Sequence, residues 1–312
     1  MAMKIVFLDR KSIGEDIDLS GFDRFGEVVI YDYSSVDEVP ARVEDADIII
    51  LNKVPINEKT IGQAKNLKLV CVTATGTNNL DKDYLDQRNI AWRNVAGYST
   101  EAVAQHTFSL LFYLYEHLAY YDEYVKSEKY VGDRLFTHFE EHFNEIQGKN
   151  WGIIGLGAIG KRVAQIAECF GANVSYYSTS GKNHDNTYKE VSFDELLANS
   201  DVISIHAPLD DNTLHLIDAA ALKKMKKSAI LINVGRGPII VESDLADALE
   251  NGEIAAAGLD VLDVEPMSPE NPLRRIKDSN KLIITPHIAW AAVEARQRLM
   301  KIIEGQVEEF LR

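Results

Sequence analysis

The stretch Trp151-Gly-Ile-Ile-Gly155-Leu-Gly157-Ala-Ile-Gly160 decides how this chain is read. Its apolar start closes a strand expected over Asn150–Ile154, and a helix is expected over Ala158–Phe170. In a G-x-G-x-x-G turn of this kind Gly155 permits the tight turn, Gly157 lets a pyrophosphate approach the backbone, and Gly160 lets helix and strand pack closely. Phosphates then lie at the helix N-terminus, beside Ala158 and Ile159, where unpaired N–H groups and the helix dipole favour negative charge. A glycine turn alone is weak evidence. Here a second strand, expected over Asn173–Tyr177, falls where the dinucleotide fingerprint requires it.

The tip of that second strand normally carries an acidic residue for the adenosine ribose. This chain has Ser178, Thr179 and, a little further on, Lys182. Hydroxyls with a nearby lysine suit a 2′-phosphate, whereas Ser178 alone can bind a bare ribose with Lys182 left in solvent. The expected cofactor is therefore NAD(H) or NADP(H), with the choice open.

Beyond these elements, further strands are expected at Val202–His206, Ile230–Val234, Ala255–Asp260 and Leu282–Thr285, six in this series. Helices over Phe193–Asn199, Ala219–Lys226 and Ser243–Asn251 separate them. Such alternation predicts a doubly wound parallel sheet. Upstream, Lys4–Leu8, Val28–Tyr31, Asp47–Asn52, Leu67–Thr73 and Ile90–Asn94 form a second strand series in a unit of about a hundred residues. The fold class is α/β with two Rossmann-like domains. Residues 1–99 and 289–312 form the catalytic, substrate-binding domain, and residues 100–288 the dinucleotide domain. The two are expected to face each other across a cleft.

A long helix is expected from Thr100 to about Lys126, carrying Phe108, Phe112, Tyr113, Tyr115, Tyr120, Tyr121 and Tyr124. So many aromatics on one helix suggest a crossing between domains or a homodimer interface, with ordinary core packing as the alternative. His138 and His142 have helical i, i+4 spacing but no third ligand, so no metal is expected. Cys71 and Cys169 form no CxxC pair and read as buried small hydrophobes.

Composition narrows the function classes. The chain has 312 residues, enough for two domains at roughly 150 each, and a formal charge of −15. That charge argues against wholesale binding to nucleic acid or an anionic membrane, so an anionic ligand needs a local positive site. With 46% hydrophobic and 26% charged residues the chain is too apolar for disorder. No stretch approaches the ~20 apolar residues of a membrane helix, and Asp9 and Arg10 interrupt the N-terminus, so a cytoplasmic location is expected.

Three residues beyond the glycine turn stand at the C-terminal ends of expected strands, where open α/β sheets bind ligands. Arg236 lies in a Gly-Arg-Gly turn, Glu265 in Asp263-Val-Glu-Pro, and His287 after Ile284-Thr-Pro. Singly each has a plain structural explanation. Together they provide a cationic fork for a carboxylate and a His–Glu pair able to carry a proton.

With Gly155–Gly160, Leu231-Ile-Asn-Val-Gly-Arg-Gly237, Gly258-Leu-Asp-Val261, Glu265-Pro266 and Thr285-Pro-His-Ile-Ala-Trp290, the chain resembles the D-isomer-specific 2-hydroxyacid dehydrogenases over essentially its whole length. The resemblance implies that Arg236 anchors the substrate carboxylate and carbonyl, His287 is the general acid/base, and Glu265 orients it. It implies that Thr75-Gly76 offers backbone amides to the carboxylate and that Tyr98 lines the substrate pocket. Lys53 adds positive charge. It further implies that Val234, Gly235, Arg236, Asp260, His287 and Ala289 surround the nicotinamide end, and that His206-Ala207-Pro208 lies on the adenine side.

Asn52-Lys53, Ala74-Thr75-Gly76 and the run from Asn94 to Gln105 look most similar to glycerate dehydrogenases, also called hydroxypyruvate reductases. The resemblance thus implies reversible hydride transfer to a small 2-oxo acid, hydroxypyruvate or glyoxylate, giving a D-2-hydroxy acid. D-lactate dehydrogenase is the nearest competitor, because Tyr98 is shared with that branch. From another class, a nucleotide-sensing corepressor-like binding protein has the same fold. Negligible turnover and a peptide-binding surface would favour that alternative.

Overall fold

The computed structural model describes residues 3–182 and 184–312. The chain divides into two compact units, Met1–Ser99 with Trp290–Arg312, and Thr100–Ala289.

In the first unit β1 (Met3–Phe7), β2 (Gly26–Ile30), α1 (Val39–Val43), β3 (Ile48–Leu51), α2 (Glu58–Ile61), β4 (Leu69–Val72), α3 (Lys82–Gln87) and β5 (Ala91–Arg93) follow one another. The sheet is parallel with strand order β2-β1-β3-β4-β5, the flavodoxin-like order. Every residue of β3 and β4 is buried, as central parallel strands covered on both faces require. Leu8, Val39, Ile49, Ile61, Val70 and Leu85 belong to one core layer.

The second unit begins with α4 (Thr100–Tyr115) and α5 (Leu118–Lys126), then β6 (Asn150–Ile154), α6 (Ala158–Cys169), β7 (Asn173–Tyr177) and β8 (Lys189–Glu190). It continues through α7 (Phe193–Asn199), β9 (Val202–Ile205), α8 (Ala219–Lys224), β10 (Ile230–Asn233), α9 (Glu242–Asn251), β11 (Ala256–Leu259) and β12 (Leu282–Ile284). The parallel sheet runs β12-β11-β10-β9-β6-β7-β8, a doubly wound order whose switch point lies where β6 sits between β7 and β9. α10 (Val293–Leu311) belongs to the first unit, where Arg24 pairs with Glu304 and Glu308 on it.

Several expectations are corrected. The sheet of the second unit has a seventh strand, β8, whose two residues are exposed and carry no hydrophobic alternation. The expected helix to Lys126 is broken at His117, which adopts a left-handed φ of 52°. Of the aromatics, Phe108 is buried, 4.9 Å from Trp151 and 5.9 Å from Phe170, and Phe112 packs on Phe170, whereas Tyr120, Tyr121 and Tyr124 lie on α5, which has no buried residue. His138 and His142 are not helical, and His138 instead stacks 3.8 Å from Tyr124. Cys71 is buried, which pushes its thiol up to about 12, but Cys169 is exposed at the end of α6.

Candidate active site

β6 ends at the switch point, and Gly155 turns the chain there with φ +89°, backed by the Ala207 backbone that any Cβ would strike. Gly160 lies against the Gly155 carbonyl, so a methyl group at that position would be only 2.3 Å from the oxygen. Gly157 differs, since a Cβ there meets nothing within 4 Å. It is also the N-cap of α6 and offers no side chain to the first N–H groups of the helix. Those donors, with Ala158 and Ile159 partly exposed beside them, form an open cradle for an anion.

At the tip of β7 Ser178 is buried while Thr179 is half-exposed and Lys182 exposed. The ammonium of Lys161, on α6, pairs with Asp185 at 2.8 Å and holds that carboxyl down at about 2. At the end of β9, His206 Nε2 lies 3.0 Å from the Ser204 hydroxyl, which also receives the Trp151 indole N–H. His206 Nδ1 is buried with no hydrogen-bond partner among the described residues. Ala207 is buried and Pro208 exposed beside it. An orphaned buried nitrogen and an unfilled glycine cradle on one edge of the sheet both fit a dinucleotide.

Arg236 follows β10 in a turn shaped by the fully buried Asn233. The Asn233 side chain accepts the Gly235 N–H at 3.0 Å and donates to the Arg236 carbonyl at 2.9 Å, carrying Val234 and Gly235 between them. Arg236 donates from one guanidinium nitrogen to the Gly235 carbonyl at 2.8 Å. Gly237 then approaches the Leu262 backbone so closely that a Cβ would lie 1.9 Å from its carbonyl carbon. This contact presses the arginine turn against the loop that bears Glu265.

Glu265 uses both oxygens. Oε1 accepts the Leu262 N–H at 3.0 Å, and Oε2 lies 2.7 Å from His287 Nδ1. Both side chains remain about a third exposed, at 32% and 29%. His287 has φ 56°, and its N–H donates to the Asp260 carbonyl at 2.9 Å. The Asp260 carboxylate, 1% exposed, accepts the N–H groups of Ile288 and Ala289 at 2.9 and 2.8 Å and the Thr285 hydroxyl at 2.6 Å. Asp260 therefore holds the His287 loop, a task not evident from its place in the sequence.

In the first unit Lys53 is exposed on the loop after β3, where the N–H groups of Asn52 and Lys53 donate to the buried carboxylate of Asp9. Burial pushes that carboxyl up, against those same hydrogen bonds. Thr75 donates to the Val95 carbonyl at 2.9 Å, and Asn94 donates to the Thr75 carbonyl at 2.6 Å, fixing the Thr75-Gly76 turn beyond β4. Tyr98 is 4% exposed and packs edge-on to Trp290. Sequence reading missed Asp9, for which the available signal was an acidic residue ending an otherwise apolar strand. Among the described residues no group of His, Cys, Asp or Glu could hold a metal ion, and no helix is long and apolar enough to cross a membrane.

A doubly wound sheet with a glycine cradle at its switch point, and a His–Glu pair beside an arginine turn, define a nicotinamide-dependent oxidoreductase. The chain belongs to the D-isomer-specific 2-hydroxyacid dehydrogenase family, whose NAD binding domain model matches residues 108–289. It is 38% identical to a hydroxypyruvate reductase of Blautia hydrogenotrophica, over 99% of this chain and 97% of that protein. It is 36% identical to a glycerate dehydrogenase of Methylorubrum extorquens, over 100% of this chain and 97% of that one. Among solved structures, a D-lactate dehydrogenase from Aquifex aeolicus complexed with NAD and lactic acid superposes with a TM-score of 0.84 at 25% identity, covering 98% of this chain and 95% of that chain. The protein is thus an NAD(P)-dependent oxidoreductase acting on the CH–OH group of 2-hydroxy acids.

Proposed function

We propose that this protein interconverts small polar 2-oxo acids, hydroxypyruvate and glyoxylate, with their D-2-hydroxy acids. The observation that carries the reading is the 2.7 Å pairing of Glu265 with His287 Nδ1, beside the turn that presents Arg236. The glycerate- and hydroxypyruvate-named relatives support the choice of substrate.

In this reading Gly155, Gly157, Ala158, Ile159 and Gly160 hold the pyrophosphate on the first N–H groups of α6. Ser178, Thr179 and Lys182 take the adenosine ribose, and His206, Ala207 and Pro208 border the adenine. Val234, Gly235, Asp260 and Ala289 border the nicotinamide, which supplies or accepts the hydride. Arg236 grips the substrate carboxylate and polarises the carbonyl, so that only one face of the carbon is presented. The Thr75-Gly76 amides and Lys53 add positive potential for the carboxylate, and Tyr98 lines the pocket wall. With Nδ1–H donated to Glu265, His287 gives a proton from Nε2 to the carbonyl oxygen in reduction and takes it from the hydroxyl in oxidation. Glu265 stabilises the imidazolium on both passages. Residues 1–99 thereby contribute Lys53, Thr75-Gly76 and Tyr98 to the substrate, while residues 100–288 hold the dinucleotide and carry Arg236 and His287.

We further propose a cytoplasmic homodimer. α5 has no buried residue, and the segment after it exposes Val131, Leu135, Phe136 and Phe139 at 76, 64, 87 and 74%. Four large apolar side chains this exposed within nine residues suit a second copy of the chain. A D-lactate-type reductase is the second reading, favoured by Tyr98 beside Trp290. Chiral analysis of the glycerate formed from hydroxypyruvate tests the first reading. D-glycerate is expected, and the L isomer would contradict the assigned geometry.

A further inference from the structure

Among the described residues, one side chain from outside the His287 loop makes a polar contact with the Asp260 carboxylate. His106, on α4, places Nε2 2.9 Å from the Thr285 hydroxyl oxygen and 3.5 Å from Asp260 Oδ1. Thr285 has one hydroxyl proton and gives it to Asp260 Oδ1 at 2.6 Å, so its oxygen accepts from His106 and Nε2 carries the hydrogen. Burial pushes the His106 imidazole down from its ordinary range, against the pull of Asp260, which favours the neutral ring and this single-proton arrangement.

The chain of contacts is directional: His106 Nε2–H to Thr285, Thr285 O–H to Asp260, and Asp260 to the N–H groups of Ile288 and Ala289. Those amides follow His287, whose left-handed backbone at φ 56° is costly for a residue other than glycine and persists only where its surroundings hold it. We propose that His106 is a positioning residue for His287, locking Thr285 and Asp260 so that the 287–289 backbone keeps the imidazole against Glu265. The proposal rests on the reading of His287 as the proton-transfer group. It assigns α4, which begins the second unit, a part in setting the reactive loop.

The test uses the full chain with H106L, H106Q, T285V and the double variant H106L/T285V. Amide hydrogen exchange over residues 285–291 is measured without ligand, alongside kcat and KM for hydroxypyruvate and the Kd of NADH by fluorescence titration. H106L and T285V are each expected to speed exchange at Ile288 and Ala289 and to lower kcat about tenfold, with KM and Kd within about threefold. H106Q, which keeps a donor near the Nε2 position, is expected to recover most of both losses. The double variant should be no worse than either single, because both cut the same chain. Wild-type exchange in H106L or T285V would overturn the proposal. So would a loss in H106Q equal to that in H106L, or additive losses in the double variant. Should the wild type reduce no 2-oxo acid, the functional reading fails while the exchange measurement still decides the positioning claim.

Discussion

Glu265 Oε2 lies 2.7 Å from His287 Nδ1, while the other oxygen of the same carboxylate is tied to the Leu262 N–H at 3.0 Å. The carboxylate is thus fixed before it meets the imidazole, and it stabilises the protonated ring needed for reduction. E265Q should lower kcat about tenfold or more with dinucleotide affinity retained, because the imidazole loses the carboxylate that fixes Nδ1. H287A should lower kcat about a hundredfold or more with dinucleotide affinity retained. A loss of only a few-fold in H287A would remove His287 from the proton-transfer role.

The glycines of the cradle separate binding from folding. G157A places a methyl group in open space and fits the observed φ of −77°, so thermal stability should hold or rise slightly, by at most about 1 kcal/mol. The same methyl intrudes where the pyrophosphate approaches, and NADH and NADPH affinity should fall at least about tenfold. G160A should instead act mainly on folding, lowering stability by about 1–3 kcal/mol through the clash with the Gly155 carbonyl. Calorimetry and fluorescence titration of both variants distinguish the two effects.

Ser178 stands where an acidic residue would select NAD. S178D should cut kcat/KM for NADPH about tenfold or more by setting a carboxylate against the 2′-phosphate, and spare or improve NADH. Equal effects on the two cofactors would show that the tip of β7 does not read the ribose.

Burial pushes His206 down to about 3 from the 6.5 it has when unpacked. Between those values the unfolded chain binds a proton that the folded chain does not. The contribution of this group is therefore complete above pH 6.5 and is lost as pH falls, at a rate of up to about 1.4 kcal/mol per pH unit. H206Q should flatten the acid limb of the melting temperature against pH, whereas parallel curves for variant and wild type would show that another group governs it.

The exposed aromatics Phe136 and Phe139 give the dimer a direct check. F136D/F139D should sediment as a monomer where the wild type sediments as a dimer. A wild-type monomer at micromolar concentration would contradict the proposed assembly.

The sequence made the strands of both sheets legible because runs such as Ile48-Ile-Ile-Leu51 are apolar throughout and bounded by turn residues. β8 escaped because two exposed polar residues at a sheet edge have no pattern. The break at His117 escaped because no glycine or proline marks it, and a left-handed residue inside a helical periodicity leaves no trace in composition. Arg236, Glu265 and His287 were legible as strand-end residues in glycine- and proline-marked turns. Asp9 and His106 were not, since each acts through hydrogen bonds to residues far away in the chain, 43 positions for Asp9 to Asn52 and 179 for His106 to Thr285.

Whether the protein reduces small polar 2-oxo acids is decided by steady-state kinetics with hydroxypyruvate, glyoxylate, pyruvate and phenylpyruvate, each with NADH and with NADPH. Hydroxypyruvate or glyoxylate should give the highest kcat/KM. A preference for phenylpyruvate, or no turnover of any of the four with either cofactor, would contradict the proposed function.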